Sequence, residues 1–589
     1  MADAPARPAD DPASRHVTRE RRLLFAILLG YLVLGAAASV LVPLWEIPDE
    51  NEHLAVVAHW AETGAMPDLN VMPRYALNEG VHPPLAYWAY ALGHRALGLG
   101  DEEYLPRRRY EALGSGDAAF LHGADELWPF AAPIAGLHWL RLIGLLFGLV
   151  TITASWALGR RLLPDRSGPG LLAAALVAFN PAFLVLSVGI SNDTLAIALS
   201  AASLVALADI SRGGAIGARP IGAGRCLLVG ALIGLAHMAK LSATFLLPVV
   251  PVALLLGRPR GEPFARVVLR AVWMGLAFLV VTGAYFAWNV SHYGDPFAWG
   301  YLLEKYPVER QVALVSAIWN RYVPVMARSY VAYYGEHVTA GRAVLVVWSI
   351  VAAGAAGGWL LLARRRLSVV RPVVVLLMCA LAVNVASSLK FFIDFNQPQG
   401  RYMYPSLAAL AALFALGWRG LAGRRAVLLL ALGLALAAVA AHSQRSVLAK
   451  AYWPPNAEDD PYAMSFNPLA GLGEEQFRAD LSIESPADGA ALDGPPTLEW
   501  EETADPGARY TVHLSTPGMP YDIRTWEHFG QTLTGSYAVP PATWSRLPPG
   551  LPMECRVLRL PTLAEAMAVP RDRLVVPVSR PIRVQRAGP

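Results

Sequence analysis

Residues 23–53 read LLFAILLGYLVLGAAASVLVPLWEIPDENEH. About twenty consecutive apolar residues suffice to cross the hydrocarbon core of a bilayer as a helix. Here such a block gives way abruptly to a Trp, a Pro and a dense acidic run that ends in His53. A soluble domain has no use for an apolar block of this length, so the stretch places the chain among membrane proteins. Arg19, Arg21 and Arg22 stand before it and no small-residue cleavage site follows a short apolar core. It therefore reads as a retained helix rather than a removed leader.

Working outward, windows of about 19 residues give eleven spans, roughly 23–43, 138–157, 170–188, 192–210, 226–240, 242–257, 267–290, 342–363, 372–389, 402–418 and 426–441. They account for a composition that is 55% hydrophobic and 16% charged, with mean hydropathy +0.39, against roughly 25% charged in an average soluble domain. The formal charge of +4 implies no nucleic-acid partner, because the arginines fall in short loops beside the spans. Arg160, Arg161 and Arg166, then Arg212, Arg219 and Arg225, then Arg258, Arg260, Arg266 and Arg270, then Arg364 to Arg366 and Arg371, then Arg419, Arg424 and Arg425 all share the side of the N-terminus. By the positive-inside rule that side is cytoplasmic. Residues 1–22 are then a cytoplasmic tail, 23–441 a transmembrane domain with a large outer loop at 44–137, and 442–589 an extracytoplasmic region. The three cysteines, Cys226, Cys379 and Cys555, are too few for a disulfide framework or a Cys-based zinc site.

Beyond about residue 454 the pattern changes. Short alternating runs, Pro496-Thr-Leu-Glu-Trp500, Arg509-Tyr-Thr-Val-His-Leu514 and Cys555-Arg-Val-Leu-Arg-Leu560, are separated by Pro and Gly and read as strands of an all-β sandwich. Ser485-Pro-Ala-Asp-Gly-Ala490, Trp500 and Ala508-Arg-Tyr510 resemble the opening strands of fibronectin type III-like modules, with Pro548-Pro-Gly550 as a late turn. An accessory or docking role is the expectation for such a module.

Chemistry is expected in the outer loops. Pro48 followed by Asp49, Glu50 and Glu52 marks a helix N-terminus, and Asp49 and His53, four apart, share a face of it. Such acids can serve only to cap the helix and favour its dipole, or they can take a proton or hold a cation. His82-Pro83-Pro84 follows in the same loop; His53, His82 and Asp49 together could ligate a divalent ion, though no fixed zinc spacing is present. Lys is rare, and Lys240 and Lys390 each end a span at the outer boundary, where a cation either snorkels to the headgroups or clamps a lipid phosphate. Arg401, after Gly400, adds a guanidinium at the mouth of the tenth span. Asp193 begins the fourth, either as a cap or lining a site.

Taken in order, Pro48-Asp49-Glu50-Asn-Glu-His53, His82-Pro83-Pro84-Leu85, Ser191-Asn192-Asp193-Thr194, Gly234-Leu-Ala-His-Met-Ala-Lys240, Tyr293-Gly294-Asp295-Pro296 and Gln399-Gly400-Arg401-Tyr402 resemble a family of bacterial integral membrane proteins in the GT-C glycosyltransferase superfamily, and more distantly the protein O-mannosyltransferases and the lipid A aminoarabinose transferase. The resemblance covers about residues 20–440. It implies a bacterial plasma-membrane enzyme of the inverting type with an outward-facing site, a polyprenyl-phosphate sugar donor drawn from among the membrane lipids, and a glycan, lipid or protein acceptor in the cell envelope. The acidic motif falls on Asp49 and Glu50, assisted by His53, and the phosphate-facing cations on Lys240 and Arg401, with Lys390, His82 and Asp193 as further substrate-binding candidates. Asp49 and Glu50 are also the candidate ligands for a divalent Mg or Mn ion. The pair is not an Asp-x-Asp motif, which leaves metal dependence open, and Arg328-Ser-Tyr-Val-Ala-Tyr-Tyr-Gly335-Glu336-His337 departs from the small-aromatic-Gly-aromatic segment of relatives. The alternative class is a non-enzymatic protein that translocates lipid-linked glycans or acts as an envelope scaffold. It would need polar residues through the middle of several spans, and His237 and Asn384 are the main ones.

Overall fold

The structure is a computed structural model and describes residues 12–69, 77–99, 126, 128, 130, 132–163, 168–213, 221–305, 314–335, 338–365, 371–423, 425–452, 477–501, 509–515, 530–532, 535–539, 544, 552–560 and 575–587. Among the described residues, eight helices are long and apolar enough to cross a membrane: Val17–Leu41, Ile134–Leu162, Asp193–Ser211, Phe264–Tyr293, Arg342–Arg364, Pro372–Phe395, Gly400–Ala422 and Ala426–Tyr452. These match eight of the eleven spans read from the sequence. The other three are shorter or broken, for local reasons. The 170–188 segment divides into Gly168–Ala178 and Pro181–Leu186, because Pro181 cannot continue a helix and the Asn180 side chain caps the restart, accepting from the N–H groups of Ala182 and Phe183 at 3.1 and 3.2 Å. Between Ala223–Ala239 and the 3₁₀ turn Leu241–Leu246, Lys240 is extended (φ −160°, ψ 141°).

Two apolar clusters hold the helices together. One runs from Tyr31 and Val42 through Phe183 to Tyr404 and Leu436; the other gathers Leu204, Ile233, Phe245, Met274 and Leu377. Because lipid tails are as apolar as Leu, helices in a membrane adhere by close packing through small residues rather than by exclusion from water. The contact between Arg342–Arg364 and Leu407–Ala422 works this way, since a Cβ on Gly358 would overlap the Gly417 carbonyl.

Glu50–Thr63 and Leu85–Ala96 pack on each other, with Leu54, Val57, Tyr87 and Tyr90 in a third cluster beside Leu137 and Ile190. This fastens the described part of the 44–137 loop onto the bundle.

The C-terminal region forms two sheets. Ile483–Ser485, Thr497–Trp500 and Ser536–Ala538 make a three-stranded antiparallel sheet. In the larger one Pro552–Leu560 lies between Arg509–Ser515 and Ile582–Arg586, antiparallel to both, and Ala490–Leu492 runs parallel to the latter. Leu498 and Trp500 from the small sheet share one core with Tyr510, Val512, Val557 and Val584 from the large one, which is the arrangement of a sandwich. The turn expected at Pro548-Pro-Gly550 lies outside the described residues.

Candidate active site

The chain ahead of the second helix makes two left-handed steps, at Trp45 (φ 75°) and Asp49 (φ 62°). Left-handed backbone costs an ordinary L-residue about 1–2 kcal/mol and is least unfavourable for Asp and Asn. At Asp49 that turn separates two neighbours in sequence. Glu50 is fully buried and points back into the protein, where Arg141 clasps it through Nε (2.7 Å) and Nη2 (2.5 Å), and the N–H groups of Trp45 and Ile190 donate to it at 2.9 and 3.1 Å. The remaining donors of Arg141 go to the carbonyls of Ser39, Val42 and Pro43. With both oxygens so engaged, Glu50 joins neither the acidic pair nor the metal pair expected from the sequence; it anchors the turn.

Asp49 faces the other way and receives the Nη2 of Arg401 in a close ion pair. Arg401 Nη1 lies 3.6 Å from Asp193, and Lys240 Nζ donates to the other oxygen of Asp193 at 2.7 Å. The result is an alternating row, Asp49, Arg401, Asp193, Lys240, assembled from four distant segments. Every member sits at a break or end of a helix. Asp49 precedes Glu50–Thr63, Asp193 opens Asp193–Ser211, Lys240 is the extended link and Arg401 belongs to the 3₁₀ turn Gly400–Ser406. Non-helical backbone at membrane depth is tolerated only where protein buries it or it lines a cavity, so these breaks coincide with the site. The arginine turn is braced from three sides. Asn384 donates to the Met403 carbonyl (3.1 Å) and the Ser406 hydroxyl (2.9 Å), Gly400 N–H donates to Ser329 Oγ (2.7 Å), and Tyr404 OH donates to the Tyr330 carbonyl (2.8 Å). Gln399 Oε1 accepts from Arg401 Nε at 2.6 Å.

Next to this row lies a second knot around Glu79. One of its oxygens is 3.4 Å from His53 Nδ1 and 3.1 Å from His82 Nε2, and Tyr87 OH donates to it at 3.3 Å. The Tyr87 oxygen also accepts from the Asn192 amide (3.1 Å). Burial, only partly opposed by the carboxylate of Glu79, lowers the pKa of His53. Burial also works against charge on Glu79, but the adjacent His53 and His82 outweigh it and hold the carboxyl well below its usual range.

Asp49, His53 and Glu79 bring one ligand atom each within 4.8 Å of one another, and the buried His53 Nε2 has no hydrogen-bond partner among the described residues. A buried nitrogen left so is costly unless something binds it, and a mixed N/O donor set suits a divalent cation. The residues therefore fit a metal, with Glu79 in the place the sequence reading gave to Glu50.

Of the residues singled out by sequence, Asp49, His53, His82, Asp193, Lys240 and Arg401 converge. Lys390 does not join them: it is 63% exposed, pairs with Asp394 one helical turn on, and lies 4.5 Å over the ring of Trp299. Glu79 and Tyr87 were given no role from the sequence, and Asn192 and Gln399 stood in the quoted motifs without a role of their own. For Glu79 a signal existed, since it stands three residues before His82.

A cavity of about 270 Å³ borders the Asp49–Arg401 pair, walled by Pro48, Val185, Leu186, Tyr333, Gln399 and Tyr404 among others. Lys240, Asp193, His53 and Glu79 are not part of its wall.

No family profile matches the sequence, and no curated protein does. Among solved structures, ArnT from Cupriavidus metallidurans bound to undecaprenyl phosphate is similar at 18% identity and a TM-score of 0.42, over 67% of this chain and 59% of that one. The apo oligosaccharyltransferase of Archaeoglobus fulgidus is similar at 14% identity and a TM-score of 0.40, over 72% and 56%. A protein O-mannosyltransferase complex of S. cerevisiae bound to its sugar donor is similar at 17% identity and a TM-score of 0.32, over 50% and 37%. The match thus spans less than two thirds of each of these proteins.

Proposed function

We propose that the chain is a membrane glycosyltransferase that moves a sugar from a polyprenyl-phosphate donor to a hydroxyl of a cell-envelope acceptor at the extracytoplasmic face. The carrying observation is the row Asp49, Arg401, Asp193, Lys240, which sets two cations suited to phosphate beside a carboxylate. In this reading the acceptor O–H attacks the anomeric carbon as the carbon–oxygen bond to the lipid phosphate breaks, and the bonding pair leaves with the phosphate oxygen. Asp49 takes the acceptor proton, a role worth about 10²- to 10⁴-fold. Lys240 and Arg401 stabilise the charge that grows on the leaving phosphate. Asp193, an anion, cannot itself bind phosphate; it holds both cations in place. A divalent cation held by Asp49, His53 and Glu79 would add Lewis acidity and positive charge beside that phosphate.

The domain division follows the same reading: 23–441 performs the transfer, and the sandwich within 442–589 presents or binds the acceptor. The test uses purified protein in nanodiscs. Undecaprenyl phosphate should bind, Lys240→Ala and Arg401→Ala should each weaken that binding at least about tenfold, and Lys390→Ala should leave it unchanged. Transfer from a radiolabelled polyprenyl-phosphate sugar should vanish in Asp49→Asn. Full turnover by that variant would remove Asp49 as the base.

A further inference from the structure

The cavity bordering Asp49 and Arg401 has walls that are mostly apolar, and its polar lining is largely committed to the protein itself. Ser329 Oγ donates to the Val325 carbonyl (2.5 Å) and accepts from Gly400 N–H, Tyr404 OH donates to the Tyr330 carbonyl, and Gln399 Oε1 is taken by Arg401. The wall also holds Asp49, Arg401, Tyr333 and Gln399 and the apolar side chains of Val185 and Leu186. An anionic occupant would meet Asp49 and find Arg401 already shared with Asp49 and Asp193. The volume of about 270 Å³ falls just under the range of roughly 300–1,000 Å³ for drug-sized ligands, so it suits one small unit rather than an oligomer.

Which side of the reaction occupies it follows from the position of the cations. Lys240 and Asp193 lie beyond Arg401, outside the cavity wall. A single inverting displacement needs the attacking hydroxyl and the leaving phosphate on opposite faces of the anomeric carbon. With phosphate on the Lys240 side, the cavity is on the attacking side, against Asp49.

Resting on the glycosyl-transfer reading, we propose that this cavity is the acceptor subsite and that it takes a single uncharged sugar or polyol unit. An apolar pyranose face would lie on Val185 and Leu186, the Gln399 amide would donate to a ring or hydroxyl oxygen, and the attacking hydroxyl would give its proton to Asp49. The charged neighbours of an anionic acceptor stay outside.

The probes are undecaprenyl phosphate for the donor side and a panel of neutral methyl hexosides for the cavity, each measured by binding to the full chain in nanodiscs. In Val185→Phe, which fills the cavity, undecaprenyl phosphate binding should stay within twofold of wild type while methyl hexoside binding falls at least tenfold. Leu186→Ala, which enlarges the cavity, should keep undecaprenyl phosphate binding and admit larger glycosides, and it serves should Val185→Phe fail to fold. Tenfold loss of undecaprenyl phosphate binding in Val185→Phe would make the cavity part of the donor site and overturn the assignment. So would wild-type protein that binds undecaprenyl phosphate but none of the hexosides. Absence of undecaprenyl phosphate binding by wild type would instead remove the glycosyl-transfer reading itself.

Discussion

Glu50 and Arg141 show how much a single backbone angle decides. In an ordinary helical start, Asp49 and Glu50 would present neighbouring carboxylates to the same solvent. With Asp49 left-handed at φ 62°, one joins the ion row and the other becomes the buried partner of a fully buried arginine. Breaking a buried pair from one side leaves an uncompensated charge and costs about 3–5 kcal/mol, whereas replacing both partners by apolar groups of similar volume is often neutral. Arg141→Met should therefore lower the thermal midpoint sharply, and adding Glu50→Leu should recover much of the loss. Equal destabilisation by the double variant would mean that the backbone carbonyls held by Arg141, rather than Glu50, carry the effect. The sequence marks Asp49 and Glu50 as special but not as different, because adjacency in the chain carries no record of a left-handed turn. Lys240 and Arg401 were legible for the opposite reason: a cation at the end of an apolar run is rare enough to stand out.

At the scale of elements, what matters is where helices stop. Asn180-Pro181 is a break signal that the single span read at 170–188 runs across, whereas the span read at 402–418 begins just after Gly400; the structure has breaks at both places. The extended link at Lys240 has no Pro or Gly beside it, yet the windows end one span at 240 and open the next at 242, because the lysine interrupts the apolar run and the structure breaks there too. The brace on the arginine turn was half visible: Asn384 stood out as a polar residue in a span, although its target 19 residues further on did not. Removing a buried donor leaves its acceptors unpaired at about 1–3 kcal/mol. Asn384→Ala should thus loosen Gly400–Ser406 and weaken undecaprenyl phosphate binding by roughly tenfold, the equivalent of about 1.4 kcal/mol, with the helices intact by circular dichroism. Unchanged binding would show that Ser329 and Tyr404 hold the turn without it.

For the molecule as a whole, the arginine-bearing loops predict which face meets the cytoplasm, and the proposed chemistry depends on that orientation. Native thiols give little background for a labelling test, since Cys226 and Cys555 are buried and Cys379 is half-buried in a span. A membrane-impermeant maleimide added to intact cells stripped of their outer barrier should label Ala487→Cys, an exposed position in the sandwich, and should reach Arg21→Cys only after permeabilisation. The reverse pattern would turn Asp49 toward the cytoplasm. The interrupted segments carry a consequence for biogenesis. At 1.5 Å per residue, the 11 residues of Gly168–Ala178 and the 17 of Ala223–Ala239 reach only about 16 and 26 Å, short of a hydrocarbon core of about 30 Å. Neither suits insertion by itself as the ribosome delivers it. Each has to enter the bilayer already partnered, the first with the long helix before it and the second with Phe264–Tyr293 after it. Lys240 and Arg401 come together only once that later partner and the tenth span have been synthesised, so the charged row cannot form before the chain has been made as far as residue 401 of 589.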